Sequence, residues 1–381
     1  MKIFSKVTLL FTALIVTFLP IGIMAEEIPG LSAKSVILME SSTGKVIYEN
    51  NADVPLPPAS ITKVMTLLLI MEDVESGKIG YGDMVTASER AKSMGGSTIY
   101  LDSGERMSIH DLLKGIVVAS ANDACVAVAE HLEGTVEAFV ERMNKRASEL
   151  GMTNSFFVNT NGLPAEGHKM SAHDIAIASN ELLKHKDIIN FTTIWTDSLR
   201  DGEFSLANTN KLIRFYEGAN GLKTGSTDEA GCCISASAQR GGMQLIAVVL
   251  GAPTSKDRFS DAKALLDYGF SNYYLWYGPD IETSLGKVAV KKGDAEKVSI
   301  IPENNMYALL RRADSGKEEI VTEISEFVTA PVAKGQIVGK ARCMVNGEVV
   351  SETNLVAAEE VGRIGFFALQ KKLLKLLLRM G

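Results

Sequence analysis

Between Ser35 and Ala252 the hydrophobic period changes twice, from two residues to about 3.6 and back to two. The stretch "SVILMESSTGKVIYEN" alternates and turns through Ser42, Thr43 and Gly44. It predicts a hairpin of Val36 to Glu40 against Lys45 to Glu49. Helical patterns follow. One starts at Ser60, and a second, over 108–131, is helical on both sides of a polar interruption at Ser120, Ala121 and Asn122. A third, over 135–150, is amphipathic and closed by Gly151, and a fourth opens on a cap-like Ser171. After Gly218 strands return as "GLKTGS", "GCCISASAQ" and "MQLIAVVLGA", with a turn at Arg240, Gly241 and Gly242. A helix from about Ser255 to Asp267 comes next. Strands at both ends with helices between predict one α+β domain, its terminal hairpins joined in a single antiparallel sheet.

Near Lys287 the pattern changes again. "VAVKKGDAEKVSIIP" and "GQIVGKARCMVNGEVVSET" read as short strands with Gly-rich turns, a small all-β module lasting to about Leu355. The ends differ from both. Lys2 and Lys6 flank an apolar run, "VTLLFTALIVTFLPIGI", and Ala25 precedes Glu26 and Glu27, which reads as a secretory signal removed near Ala25. An uncleaved membrane anchor is the other reading, and either exports the chain. From Ile364, "IGFFALQKKLLKLLLRMG" puts Lys371, Lys372, Lys375 and Arg379 within an arc of roughly 100° at helical spacing. Phenylalanines and leucines cover the rest, the pattern of a helix lying in a membrane interface. The expected organisation is a signal over 1–25, an α+β domain over 26–275, a β-rich domain over 283–356 and an amphipathic helix over 361–381.

Composition removes some functions. A net charge of −7, with no basic run outside the tail, argues against nucleic-acid binding. Five histidines show no metal-ligand spacing. Of four cysteines, Cys232 and Cys233 are adjacent on one strand, and Cys125 and Cys343 lie in different domains, so free buried thiols are expected.

The chemistry-bearing residues fall in three short stretches. "PPASITKVMTLLL" carries Ser60 and Lys63 three residues apart, hence on one helix face. There a neutral Lys63 amine can take the Ser60 proton and leave a nucleophilic alkoxide, provided that burial or a second cation lowers its pKa. "SAN", Ser120 to Asn122, adds two polar side chains within a helical segment. "KTGS", Lys223 to Ser226, opens a strand. Lys223 supplies the second cation, Gly225 lets a substrate backbone approach, and the N–H groups of Ser60 and Ser226 are candidates for an oxyanion site.

Together these motifs resemble the three marks of penicillin-binding proteins and serine β-lactamases. The likeness extends to the low-molecular-mass D-alanyl-D-alanine carboxypeptidases through "LDSGERMSIHDLLKGIVVASANDA", "ELGMTNSFFVNTNGL", "ANGLKTGSTDEAG" and "DRFSDAKALLDYGF". The resemblance implies a β-lactamase/DD-peptidase-like domain followed by a small β domain and an amphipathic tail. It casts Ser60 as acyl-ester nucleophile, Lys63 as proton acceptor and Ser120 as proton relay to the leaving group and deacylating water. Asn122 would hold the substrate amide, and Lys223, Thr224 and Arg258 the terminal carboxylate, which a guanidinium suits. The implied activity is removal of terminal D-Ala from peptidoglycan pentapeptides, without metal or cofactor. β-Lactams would act as covalent inhibitors, and the enzyme would sit on the outer face of the bacterial cytoplasmic membrane. Ala121 stands where glycine is common in these enzymes, and a Glu-x-x-Leu-Asn segment of class A β-lactamases is missing, which lowers the β-lactamase reading. A non-catalytic penicillin-binding scaffold is the rival from another class.

Overall fold

The computed structural model describes residues 28–370. Its centre is a five-stranded antiparallel sheet in the order Val46–Asn50, Ser35–Glu40, Met243–Ala252, Gly231–Arg240, Ala219–Thr227. The first hairpin joins the last one as expected, with Val36 opposite Val249 and Ile37 opposite Val248. Ser35–Glu40 is buried at every position because both faces of the sheet are covered. Successive residues feed opposite cores: Ile37 and Met39 pack on one side, Val36 and Leu38 on the other.

The helix Lys63–Glu75 belongs to the first core, with every residue from Lys63 to Met71 buried. A helix apolar on all sides runs through an interior rather than over it. That path is what carries Lys63, in its first turn, out of water. Ser171 caps Ala172–Lys184 by accepting from the Asp174 N–H. On the far side Ser255–Asn272 covers the sheet. It is five residues longer than predicted, because Gly269 and Phe270 continue its buried face and no breaker intervenes at Asp267.

The interruption at Ser120 has a form that periodicity did not reveal. An α-helix over Ile109–Lys114 loosens into a π turn over Gly115–Ala119, Ser120 takes a left-handed conformation (φ 63°), and a new helix runs Asn122–Glu133. Such bulges are frequent at functional positions. All four cysteines are free, Cys232 and Cys233 facing opposite cores.

The β-rich part is a six-stranded sheet in the order Glu319–Ile324, Ile337–Val345, Glu348–Ala357, Lys297–Pro302, Gly286–Lys291, Phe327–Thr329. Val288, Val298, Ile300, Val338 and Leu355 fill its core. One element was not foreseen. Tyr273–Tyr277 pairs with Tyr307–Arg311, a ribbon that bridges the boundary expected between 275 and 283. Arg312 Nε also donates to the Phe270 carbonyl at 3.0 Å. The signal over 1–25 and the basic stripe over 371–381 lie outside the described residues. Residues 366–370 are helical, and Phe366 and Phe367 are exposed. Among the described residues no helix is long and apolar enough to cross a membrane.

Candidate active site

A 3-10 turn, Ala59–Thr62, leads into the helix that starts at Lys63. Ser60 sits in that turn and caps nothing, so its hydroxyl is free for Lys63, whose Nζ lies 2.9 Å away. Lys63 is fully buried, and its Nζ also donates to Asn122 Oδ1 at 2.7 Å and to the Asn161 carbonyl at 2.6 Å. Three acceptors match the three protons of an ammonium. Burial nevertheless lowers the amine from 10.5 to about 8, with Cys125 and Asp123 pulling the other way.

Ser120, two residues before Asn122, is buried. Asn122 is occupied by the protein at both ends of its amide. Its Oδ1 accepts from Lys63 and its Nδ2 donates to the Gly95 carbonyl at 2.7 Å. The geometry therefore gives Asn122 a duty toward Lys63 that the resemblance did not assign. Its neighbour Asp123 accepts from the N–H groups of Ile99 and Leu101, tying the same short helix to the loop in front.

Lys223, Thr224, Gly225 and Ser226 lie on Ala219–Thr227, the edge strand of the main sheet. An edge strand leaves one row of backbone groups unpaired, and this edge faces the Ser60 turn. The reason for Gly225 differs from the one expected. A Cβ there would lie 2.7 Å from Ser60 N and 3.1 Å from Ile61 N, so the glycine makes room for the Ser60 turn. Ser226 is exposed at the strand end. Thr224 Oγ1 donates to Thr209 Oγ1 at 2.7 Å.

The electrostatics of the lysine pair also correct the sequence argument. Lys223 is fully buried, and among the described residues its Nζ has one hydrogen-bond partner, the Thr224 carbonyl at 2.9 Å. Burial, and then the charge of Lys63, hold it well below 10.5. Desolvation is thus the chief cause at Lys63, not a cationic Lys223. Arg258 is buried behind the edge strand, its Nη1 donating to the carbonyls of Gly225 at 3.0 Å and Cys233 at 3.4 Å. It braces the strand at Gly225, while its Nε has no partner among the described residues.

Sequence reasoning missed Asn161, Thr209 and Asp123. The "NTNG" turn did hold a signal, since Asn159 Oδ1 accepts from the N–H groups of Asn161 and Gly162. Among the described residues no group of His, Cys, Asp and Glu could hold a metal ion.

A family profile described as D-alanyl-D-alanine carboxypeptidase matches residues 23–254, and one for the C-terminal domain of penicillin-binding protein 5 matches residues 282–363. The D-alanyl-D-alanine carboxypeptidase DacF of Bacillus subtilis is 42% identical over 376 residues, 96% of each chain. Penicillin-binding protein 5 of Haemophilus influenzae superposes with a TM-score of 0.77 at 31% identity, covering 88% of this chain and 99% of that one. Penicillin-binding protein D2 of Listeria monocytogenes, in its ampicillin-bound form, does so at 0.58 and 32%, covering 63% and 98%. Both halves of the molecule thus find their counterparts in the same order, and the chain belongs to the D-alanyl-D-alanine carboxypeptidase family, as a low-molecular-mass penicillin-binding protein.

Proposed function

We propose that Ser60 is the nucleophile that removes the terminal D-Ala of peptidoglycan pentapeptides. The observation that carries this is the Lys63 amine, 2.9 Å from Ser60 Oγ and lowered by burial to about 8. A base near neutrality combines availability with driving force. The substrate's terminal carboxylate arrives at Lys223 and Thr224, with Arg258 behind, and favours a cation at Lys223. A charged Lys223 lowers Lys63 further and leaves it neutral for attack. Lys63 then takes the Ser60 proton as Oγ bonds to the carbonyl carbon. The C–N bond to the leaving D-Ala breaks, its amine receiving a proton by way of Ser120. Water cleaves the ester and restores Ser60. A β-lactam offers the same kind of carbonyl and acylates the same oxygen.

D-Ala release from a pentapeptide, measured for wild type and Ser60→Ala, tests this directly. Wild-type turnover with none for Ser60→Ala is the expected result. Turnover by Ser60→Ala, or a penicillin adduct mapping to Ser120, removes Ser60 from the role.

The same reading includes a location. The apolar run before Ala25 supports export, and the basic stripe within the leucine-rich tail supports attachment to an anionic membrane surface on the outer face of the cytoplasmic membrane. Deleting everything after Gly362 should release the protein from membranes, with D-Ala release from a small soluble peptide nearly unchanged. Membrane retention of the truncated protein would exclude the tail as the anchor.

A further inference from the structure

Behind the Ser60 turn lies a buried histidine that the reaction as described does not use. His168 is 4% exposed, and burial lowers its ring to about 4, so the imidazole is neutral. Its tautomer follows from its neighbours. Nδ1 lies 2.9 Å from the Val158 N–H and accepts from it, which leaves the ring proton on Nε2. Nε2 is 2.7 Å from Thr62 Oγ1, and the Thr62 hydroxyl in turn donates to the Ala59 carbonyl at 2.8 Å. Donors and acceptors therefore run in one direction, from Val158 through His168 and Thr62 to Ala59.

The end of that chain is unusual. Ala59 immediately precedes Ser60 and holds φ +48°, the left-handed region that a residue with a side chain adopts only under strain. Its carbonyl oxygen is also pressed against Gly162, where a Cβ would come within 1.8 Å. The loop that carries Gly162 supplies two further contacts to the nucleophile segment. The Asn161 carbonyl accepts from Lys63, and the Thr160 carbonyl accepts from Thr66 Oγ1 at 2.6 Å. His168 bonds to this loop with one nitrogen and to the Ser60 turn with the other.

We infer that His168 is a positioning residue, fixing the spacing between the Ser60 turn and the 158–162 loop so that Ser60 Oγ, Lys63 Nζ and the Asn161 carbonyl stay aligned. The inference rests on the roles proposed above for Ser60 and Lys63. Without the relay, Ala59 can relax toward negative φ, Ser60 shifts, and the Lys63 ammonium loses its Asn161 acceptor. A lost acceptor disfavours the charged amine and moves its titration to lower pH. The other charged or titratable groups facing Lys63 are Asp123 and Cys125 on the Asn122–Glu133 helix and Lys223 on the edge strand. None of these is altered by the variants below.

The test is the rate of acylation by labelled penicillin as a function of pH, normalised to the number of sites that finally take label, for Thr62→Val, Thr62→Ser and His168→Phe. Normalising removes any fraction that fails to fold. Thr62→Val and His168→Phe should each slow by about ten- to a hundredfold, the loss expected of a displaced nucleophile, and their acylation midpoint should move to lower pH. Thr62→Ser keeps the hydroxyl and should stay near the wild-type rate. Unchanged rate and midpoint in Thr62→Val and His168→Phe overturn the inference, as does a loss in Thr62→Ser equal to that in Thr62→Val. Label on Ser60→Ala is a separate failure, that of the nucleophile assignment.

Discussion

Lys63, Lys223, Asp123 and Arg258 are all buried in the catalytic half, whereas Lys340, Arg342, Glu323 and Glu352 pair across an open face of the β-rich sheet. In that second half Thr353 is the one buried polar residue between Gly286 and Ala357, and the rest of the interior is apolar, Met306 and Cys343 included. Taking a charge out of water costs more than its partners usually return, so apolar packing of the same volume is commonly the more stable solution. One half of the chain follows that rule and the other departs from it, around Ser60 and also at Glu40, Asp73, Lys114, Asp174 and Asp261. Around Ser60 the departure supplies the lowered amine on which the proposed chemistry depends. The β-rich half shows what the chain builds when no such need exists.

The sharpest way to break this contrast is Lys63→Arg. Arginine stays protonated, so acylation by labelled penicillin should fall by about 10³-fold. Near-normal acylation at neutral pH would mean that the buried charge is not the base. Next in size is the response of the wild type to pH. Because burial lowers Lys63 to about 8, acylation should climb as pH rises from 6, about tenfold per unit, and level off above that midpoint. A flat profile from pH 6 to 9 would separate Lys63 from the rate.

A smaller effect is expected one step out. Asp123→Asn removes charge from the bonds to the Ile99 and Leu101 N–H groups, at a cost of about 2 kcal/mol in unfolding free energy. Asp123 also pulls the Lys63 pKa upward, so its neutralisation should move the acylation midpoint to lower pH. Smallest of all is Arg342→Ala in the β-rich half. Its ion pairs with Glu323 and Glu352 are open to solvent and screened, so neither the unfolding midpoint nor acylation should change measurably. A clear loss there would show that the second half is not the inert partner in this comparison.

The sequence resolved the features that residue types announce. Alternation around Val36 and Val249 announced the sheet, and the spacing of Ser60 and Lys63 announced their contact. The reasons behind some residues were less visible. Gly225 reads as an opening for substrate until the Ser60 turn is seen against it. Asn161 and Ala59 act through backbone carbonyls, which every residue type possesses, so the "NTNG" pattern announces a turn at Asn161 and not its bond to Lys63. His168 stands far from Thr62 in the chain, and only the folded loop brings the ring to the hydroxyl. The π turn at Gly115–Ala119 is likewise a matter of register, since a glycine followed by small and β-branched aliphatics reads as a weak helical stretch without showing where the register slips.

The strand order has a consequence for how the chain is made. Ser35–Glu40 lies between Val46–Asn50 and Met243–Ala252, so an inner strand of the sheet is among the first to be synthesised and its second neighbour among the last of the catalytic half. During elongation Ser35–Glu40 has one partnered edge and one bare one, and the central helix Lys63–Glu75 has no complete sheet to rest on. Pairings this distant in sequence close slowly, because the loop entropy is lost before the contacts form. The Ser60 turn leans on Gly225, so the site takes shape only after that closure. A nascent chain ending before Met243 is therefore catalytically silent and open to chaperones, and assembly of the enzyme waits for the hairpin that completes its sheet.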